Sequence, residues 1–389
     1  MQAIKQLYRI GYGPSSSHTI APYRIANLYK DNFNNCDNYF IKLCGSLALT
    51  AKGHGTINIL ESIFGIDKLN ISFDYETKDN VLEIYGIKNN IKLEIWHGHS
   101  LGGGSISIDE YDTHDNDNIY PENNFEEIKK TLNKYNINII EYVLKYEPDI
   151  YDYLNTCIDK MVEIVNRGLN TEGLLNKDLN YYRVAKKLFL KAKDKKDFLV
   201  AYSYAACEEN AAGGLMVTAP TLGACGILTS LIYYLKINCK IENKLLCEML
   251  MVAGVFGNCI KTNASIAGSN GGCQAEVGTA CAMAAAAICY YLGYDLNTIE
   301  CAAEMGIEHF LGLTCDPVMG YVIIPCIERN AVSVLRAYDC AYLSKQLSDI
   351  KKNTISFDKV VSAMNYTGSK IVKELKETSL GGLSLEFKK

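Results

Sequence analysis

The sequence predicts an α+β N-terminal domain followed by a mostly all-α domain. Three observations lead there. Short strand-like apolar runs are confined to roughly the first 110 residues. Helical spacing dominates from about residue 150 onward. The two most apolar windows, Leu245–Ile260 and Val277–Leu292, are rich in Gly, Ala and Cys and short for a bilayer span, which marks them as buried core helices.

In chain order, Tyr39–Cys44 reads as a strand and Ser46–Phe64 as helical. Leu69–Phe73, Val81–Ile87 and Ile91–Trp96 are further strand candidates, and Gly102-Gly-Gly104 breaks the pattern before Ile106–Ile108. A polar, Asn- and Asp-rich stretch with a turn at Tyr120–Asn124 opens residues 110–150, where the domain connection is placed, and a helix starts near Asn124–Lys134. The expected division is 1–125, a connection over 126–150, and 151–389. Helices follow at Tyr151–Asn166, Tyr181–Lys191, Phe198–Glu208, Ala224–Leu235, Lys244–Cys259, Glu276–Leu292, Leu296–Met305, Ala331–Leu347 and Asp358–Leu375. Small side chains in Ala280–Ile288 let neighbouring backbones approach, which marks a central element.

A chain of 389 residues with 48% hydrophobic and 21% charged residues has enough apolar surface to fold, which excludes global disorder. The formal net charge of −5, with no basic tract, argues against a nucleic-acid partner. The start, Met1–Arg9, carries no apolar secretory core, so a soluble, cytoplasmic protein with no membrane partner is expected.

The 15 cysteines are unevenly placed: Cys36, Cys44 and Cys157 precede residue 200 and the rest follow it. An odd number without a signal peptide does not suggest a disulfide framework, and no C-x-x-C pair is present. Most are expected to be small core hydrophobes. The histidines are reversed, with His18, His54, His97, His99 and His114 early and His309 late. A site combining both residue types would therefore sit where two domains meet. Neither a Walker A loop nor G-x-G-x-x-G is present.

Several loops concentrate polar, Gly and Pro residues. Ser15, Ser16, Ser17, His18 and Thr19 put four hydroxyls and an imidazole ahead of a helix, a pattern that suits a carboxylate or phosphate but also an ordinary capped helix start. His54 is flanked by glycines, which allow close approach to a ligand or simply form a turn. His97 and His99 share one strand face, but two ligands are too few for a metal, and they read as surface residues. His309 reads equally as a packed core residue. Cys273, Cys315 and Cys326 each follow or precede a Gly or Pro break instead of lying inside an Ala-rich helix. Three such thiolates could bind one cluster or metal and leave a position open.

Together these loops resemble the iron–sulfur-dependent L-serine dehydratase (L-serine ammonia-lyase) family. The segments that carry the resemblance run in family order from Gly13–Thr19 through Gly45–Thr56, Asn166–Gly173, Glu208–Gly214, Val217–Thr221, Asn263–Ile266, Cys273–Gly278, Glu308-His309, Leu311–Val318 and Pro325–Asn330 to Glu377–Gly382. The cysteine intervals match the family's cluster spacing. The resemblance implies a single-chain enzyme with fused β-type and helical α-type catalytic domains. It implies a [4Fe–4S] cluster held by Cys273, Cys315 and Cys326, with an open iron as Lewis acid, and no PLP. It also implies L-serine as substrate, converted to pyruvate and ammonia by β-elimination, and a homodimer.

On this reading Ser15, Ser16, Ser17, Thr19, Asn263 and Ser265 supply substrate-binding donors. His54 is the first choice for the base and His18 the second. The exposed iron makes the activity oxygen-sensitive. Some features depart from the family: the tail ends Leu385–Lys389 without a cysteine, Leu215 and Leu222 stand where many relatives have polar residues, and Ser269–Gly271 replaces the more usual Ala-Glu-Val. No regulatory ACT segment is evident. Alternatives within these motifs are a lyase preferring L-cysteine or L-threonine, and a non-catalytic amino-acid or redox sensor.

Overall fold

The computed structural model describes residues 1–77, 80–113, 115 and 117–387. His114 thus lies outside the described residues. Buried apolar side chains form two main clusters. The smaller spans Ala21 to Ile108 and joins the sheet to its helices; the larger takes in Met1 to Ile20 and Tyr120 to Met364.

The alternation of Asn38–Cys44 builds an inner strand of the six-stranded sheet, because it points Tyr39, Ile41 and Leu43 at the core on one face. Leu69–Asp74 pairs with it in parallel, and Val81–Lys88 pairs antiparallel on its other side. Trp96–Gly102 and Ser105–Ile108 extend the sheet as a hairpin turning at the predicted glycines. The expected strand Ile91–Trp96 is split. Only Ile91–Lys92 pairs before the chain leaves the sheet, since the Tyr29 hydroxyl occupies the gap, donating to Glu94 O and accepting from Gly86 N.

The helical segment expected over Ser46–Phe64 is also broken, into Ser46–Leu49 and Thr56–Phe64. Between them a tight turn carries His54, closed by His54 N donating to Thr50 O at 2.9 Å. The polar connection contains Phe125–Tyr135, capped by Asn124, and a second helix, Ile139–Tyr146, that the sequence reading missed.

Thr279–Tyr291 is central in the helical body, and every residue from Thr279 to Cys289 is fully buried. It packs against Asn243–Asn263, Leu296–Glu308, Cys326–Ser348 and Cys225–Ile237. Among the described residues Asn243–Asn263 is the one helix long and apolar enough to cross a membrane, and 78% of its apolar window is buried within the protein. Several helix starts or ends differ from expectation, three of them with a visible cause or consequence. Ala185–Lys191 starts late because Leu174–Asn176 and Tyr181–Tyr182 form a small ribbon before it. Cys326–Ser348 starts earlier, at the residue after Pro325, so Cys326 is helical and stands at an N-terminus. Phe357–Lys370 stops short of Leu375.

The first residues of the chain belong physically to the helical body. Ile4, Leu7 and Tyr8 are buried there, the Tyr8 hydroxyl donates to Leu250 O, and Ile10–Tyr12 pairs antiparallel with Leu215–Val217. The chain then crosses to the sheet through Gly13–Thr19, which places that loop between the two clusters.

Candidate active site

Ser15–Thr19 forms a wide helical turn, and all five side chains are buried. Ser15 Oγ caps it by accepting from His18 N at 3.1 Å. Two further hydroxyls are committed locally. Ser17 Oγ lies 2.8 Å from His18 Nδ1, and Thr19 Oγ1 donates to His54 O at 2.6 Å. Thr56 Oγ1 returns the tie by donating to His18 O at 2.6 Å. These bonds lock the two histidine loops together, with ring centroids 4.7 Å apart.

On its other side, His18 Nε2 lies 2.9 Å from Ser46 Oγ, which donates to Asn80 Oδ1 at 2.6 Å. Burial, together with the neighbouring His54, pushes the His18 pKa down to about 4 despite the opposing pull of Glu377. His18 is thus neutral near pH 7.

A third group completes this cluster. Glu377 Oε1 lies 3.3 Å from His54 Nε2 and 3.6 Å from His18 Nδ1. Burial alone would raise the Glu377 carboxyl, but His18, His54 and the Ser269 backbone hold it below the usual carboxylate range. Glu377 sits at φ 59°, a left-handed backbone that a non-glycine residue adopts at a cost. Its position comes from the tail docking on the cysteine loop. Cys315 N donates to Leu375 O at 2.8 Å, and Glu377 N donates to Cys315 O at 2.7 Å.

The cysteines meet this histidine–carboxylate group. A small cavity is walled by Ser15, His54, Glu276, Cys315, Cys326 and Glu377. The neighbouring Cys315 thiol, together with Arg329, brings the Cys273 pKa down to about 7 although burial opposes it. The same pairing, then burial, pushes Cys315 up, and burial pushes Cys326 up. Arg329 is anchored to Thr314 O at 2.7 Å and hydrogen-bonds Cys273, so one fixed cation faces the thiols. Burial, Glu377 and Cys273 raise the Glu276 carboxyl well above its ordinary range. Gly268 makes room here: a Cβ on it would lie 3.0 Å from Glu276 Oε2 and 3.2 Å from Cys315 Sγ.

His54 Nδ1 and Glu377 Oε2 are buried and have no hydrogen-bond partner among the described residues. Two unpaired polar atoms beside converging thiols, an arginine and an ionised carboxylate fit a metal cluster with a polar substrate better than a closed core. The donor set of three thiols in a small cavity also fits an iron–sulfur group.

Two expected substrate donors lie elsewhere in the hydrogen-bond network. Asn263 Nδ2 donates to Cys259 O and Asn123 O, and Ser265 Oγ accepts from Ala267 N. His309 Nδ1 lies 2.8 Å from Met305 O at its own helix end. The sequence reading assigned no role to Glu276, Arg329 or Glu377, although all three lie in the segments it singled out.

Residues 3–110 match the family profile described as serine dehydratase beta chain, and residues 88–384 match serine dehydratase alpha chain. The chain is 32% identical to L-serine dehydratase 1 of Escherichia coli, covering 99% of both sequences. It is 32% identical to the L-serine dehydratase of Haemophilus influenzae over 100% of this chain and 99% of that one. It is 31% identical to that of Streptomyces coelicolor, again over 99% of both.

Proposed function

The chain belongs to the serine dehydratase family as an enzyme with beta-chain and alpha-chain regions fused, and from that premise we propose that it converts L-serine to pyruvate and ammonia. The reaction is a β-elimination that depends on a [4Fe–4S] cluster. The observation that supports this most directly is the shared cavity: His54 and Glu377 line the same wall as Cys315 and Cys326, with the free thiol of Cys273 beside Cys315.

Cys273, Cys315 and Cys326 would hold the cluster. When bound, the cluster supplies a Lewis acid for the departing hydroxide. The protein's own groups account for the rest. The Ser15–Thr19 turn binds the substrate carboxylate: the Ser15 and Ser16 hydroxyls face it, while Ser17 and Thr19, whose hydroxyls are tied to His18 Nδ1 and His54 O, hold the turn in shape.

His54 takes the Cα proton. Its Nε2 faces Glu377, so Nε2–H donates to that carboxylate and Nδ1, which meets no protein partner, accepts. Glu377 holds the ring in this tautomer and stabilises the imidazolium once the proton arrives, while neutral His18 adds no competing charge. Loss of the proton and of the β-hydroxyl leaves aminoacrylate, which tautomerises to an imine and hydrolyses to pyruvate and ammonia.

In the same reading, residues 1–125 and 151–389 are the two functional units, joined by 126–150. The enzyme acts in the reducing cytoplasm as a homodimer, in amino-acid catabolism that feeds gluconeogenesis. Anaerobically purified protein tests the activity. It should form pyruvate from L-serine faster than from L-threonine or L-cysteine, lose activity in air, and recover it with iron and thiol under nitrogen. Full turnover by iron-free protein would overturn the cluster; no turnover by protein with three intact cysteines and full iron content would overturn the substrate.

A further inference from the structure

Outside the buried site, the solvent face of the N-terminal sheet carries a second group of ligand-type side chains. His97 and His99 lie two apart on Trp96–Gly102 and so point to the same face. The sequence alone offers only these two. The fold adds two more, because the antiparallel partner strand Ser105–Ile108 returns the chain alongside, and Asp109 N donates to His97 O at 3.1 Å.

The contacts are close and reciprocal. His97 Nδ1 lies 2.6 Å from Glu110 Oε1, and His97 N donates to Glu110 Oε2 at 2.8 Å. His99 Nε2 lies 3.0 Å from Asp109 Oδ1. One ligand atom each from His97, Asp109 and Glu110 lies within 4.8 Å of the other two. Glu83, directly across the sheet from His97, is occupied by Lys42 at 3.2 Å and stays outside the group.

We propose that His97, Asp109 and Glu110 form a binding site for a divalent first-row transition ion of the zinc type, with His99 holding the Asp109 carboxylate in place. Two carboxylates balance the ion's charge. The imidazole favours such an ion over calcium or magnesium, which take oxygen ligands. Bond lengths of about 2.0–2.2 Å require these ligand atoms to close together by roughly an ångström. Exposed side chains on a hairpin can make that adjustment by rotation.

The placement gives the ion a structural role. At the other end of the same hairpin, Ser100 Oγ donates to Ser17 O at 2.8 Å, and a Cβ on Gly102 or Gly103 would meet Ala267 or Ile266 at 2.8 Å. An ion at the hairpin's open end braces the strand pair whose turn rests on the Ser15–Thr19 loop and on the helical body.

Zinc alone is the probe, dialysed against full-length, cluster-loaded protein under nitrogen. A Cys239→Ser background removes an exposed thiol that would compete. Protein with His97 and Glu110 intact should take up one more equivalent than the His97→Gln/Glu110→Gln variant. Zinc should also raise the melting temperature of the first and not of the second, and serine turnover should be the same in both without zinc. Equal zinc uptake by the two proteins would overturn the site and leave these residues as ion pairs only.

Discussion

His54 Nε2 lies 3.3 Å from Glu377 Oε1, and both side chains are buried. The pairing joins a glycine-flanked turn near the start of the chain to a tail segment near its end. It makes Glu377 a positioning residue for the proposed base. Glu377→Gln keeps the shape and removes the charge, so kcat for serine should fall about 10²-fold, within the range of a positioned general base, with KM little changed. Glu377→Asp should restore part of the loss. Equal rates for wild type and Glu377→Gln in a pyruvate assay would remove Glu377 from the mechanism.

The cluster ligands are separable from the bulk of the cysteines. Cys273→Ala, Cys315→Ala and Cys326→Ala should each lose iron and sulfide from anaerobically purified protein. Cys239→Ala should keep both, because Cys239 is exposed and lies away from the cavity wall. Iron and sulfide content per chain is the measurement, and four variants with equal iron would show that the ligands lie elsewhere.

Stability carries its own pH signature through Glu208. This buried carboxyl accepts from Val184 N at 2.7 Å and Ala185 N at 3.2 Å, yet burial lifts its pKa to about 7. The folded state therefore binds more protons than the unfolded state between about pH 4.5 and 7, and stability falls as pH rises through that window. Glu208→Gln mimics the protonated form. It should be more stable than wild type at pH 8 by about 1–3 kcal/mol, and near neutral in effect at pH 4.5. Melting temperatures at both pH values check this; a difference independent of pH would contradict it.

Much of this architecture could be read from the sequence, because period-two and helical apolar patterns are local properties. The alternation in Asn38–Cys44 and the Ala-rich run in Thr279–Tyr291 each specify their element without help from distant residues. The misreadings arise where a distant group intervenes. Tyr29 splits Ile91–Trp96 with a hydroxyl from another element, and periodicity cannot report that. In the site, the histidine and cysteine loops stand out because Gly, Pro and Ser interrupt helical spacing. Glu377 opens a segment that carries the family resemblance, but nothing in the sequence assigns it a role, since that role exists only after Lys376 pairs with Cys315 across the fold. Asp109 and Glu110 are hidden for a similar reason: only strand pairing brings them to His97.

The turn that holds His54 gives the most demanding test of positioning. A Cβ on Gly53 would lie 2.3 Å from Gly320 O and 2.5 Å from Gly320 C. Both are backbone atoms, so no side-chain rotation relieves the clash and one of the two loops must move. The Gly320 loop is itself held by Ser379 Oγ donating to Pro317 O at 2.8 Å, in the tail that carries Glu377. Displacing either loop alters the relation of His54 to Glu377 by a distance comparable to the clash. A shift of about 1 Å in a catalytic group can cost 10²-fold. Gly53→Ala should therefore lower kcat, measured per bound cluster, at least tenfold while the far-ultraviolet circular dichroism spectrum stays at its wild-type value, because the helical core is untouched. Wild-type kcat in Gly53→Ala would mean that the separation of the histidine turn from the tail does not govern the rate, and that His54 is not the base.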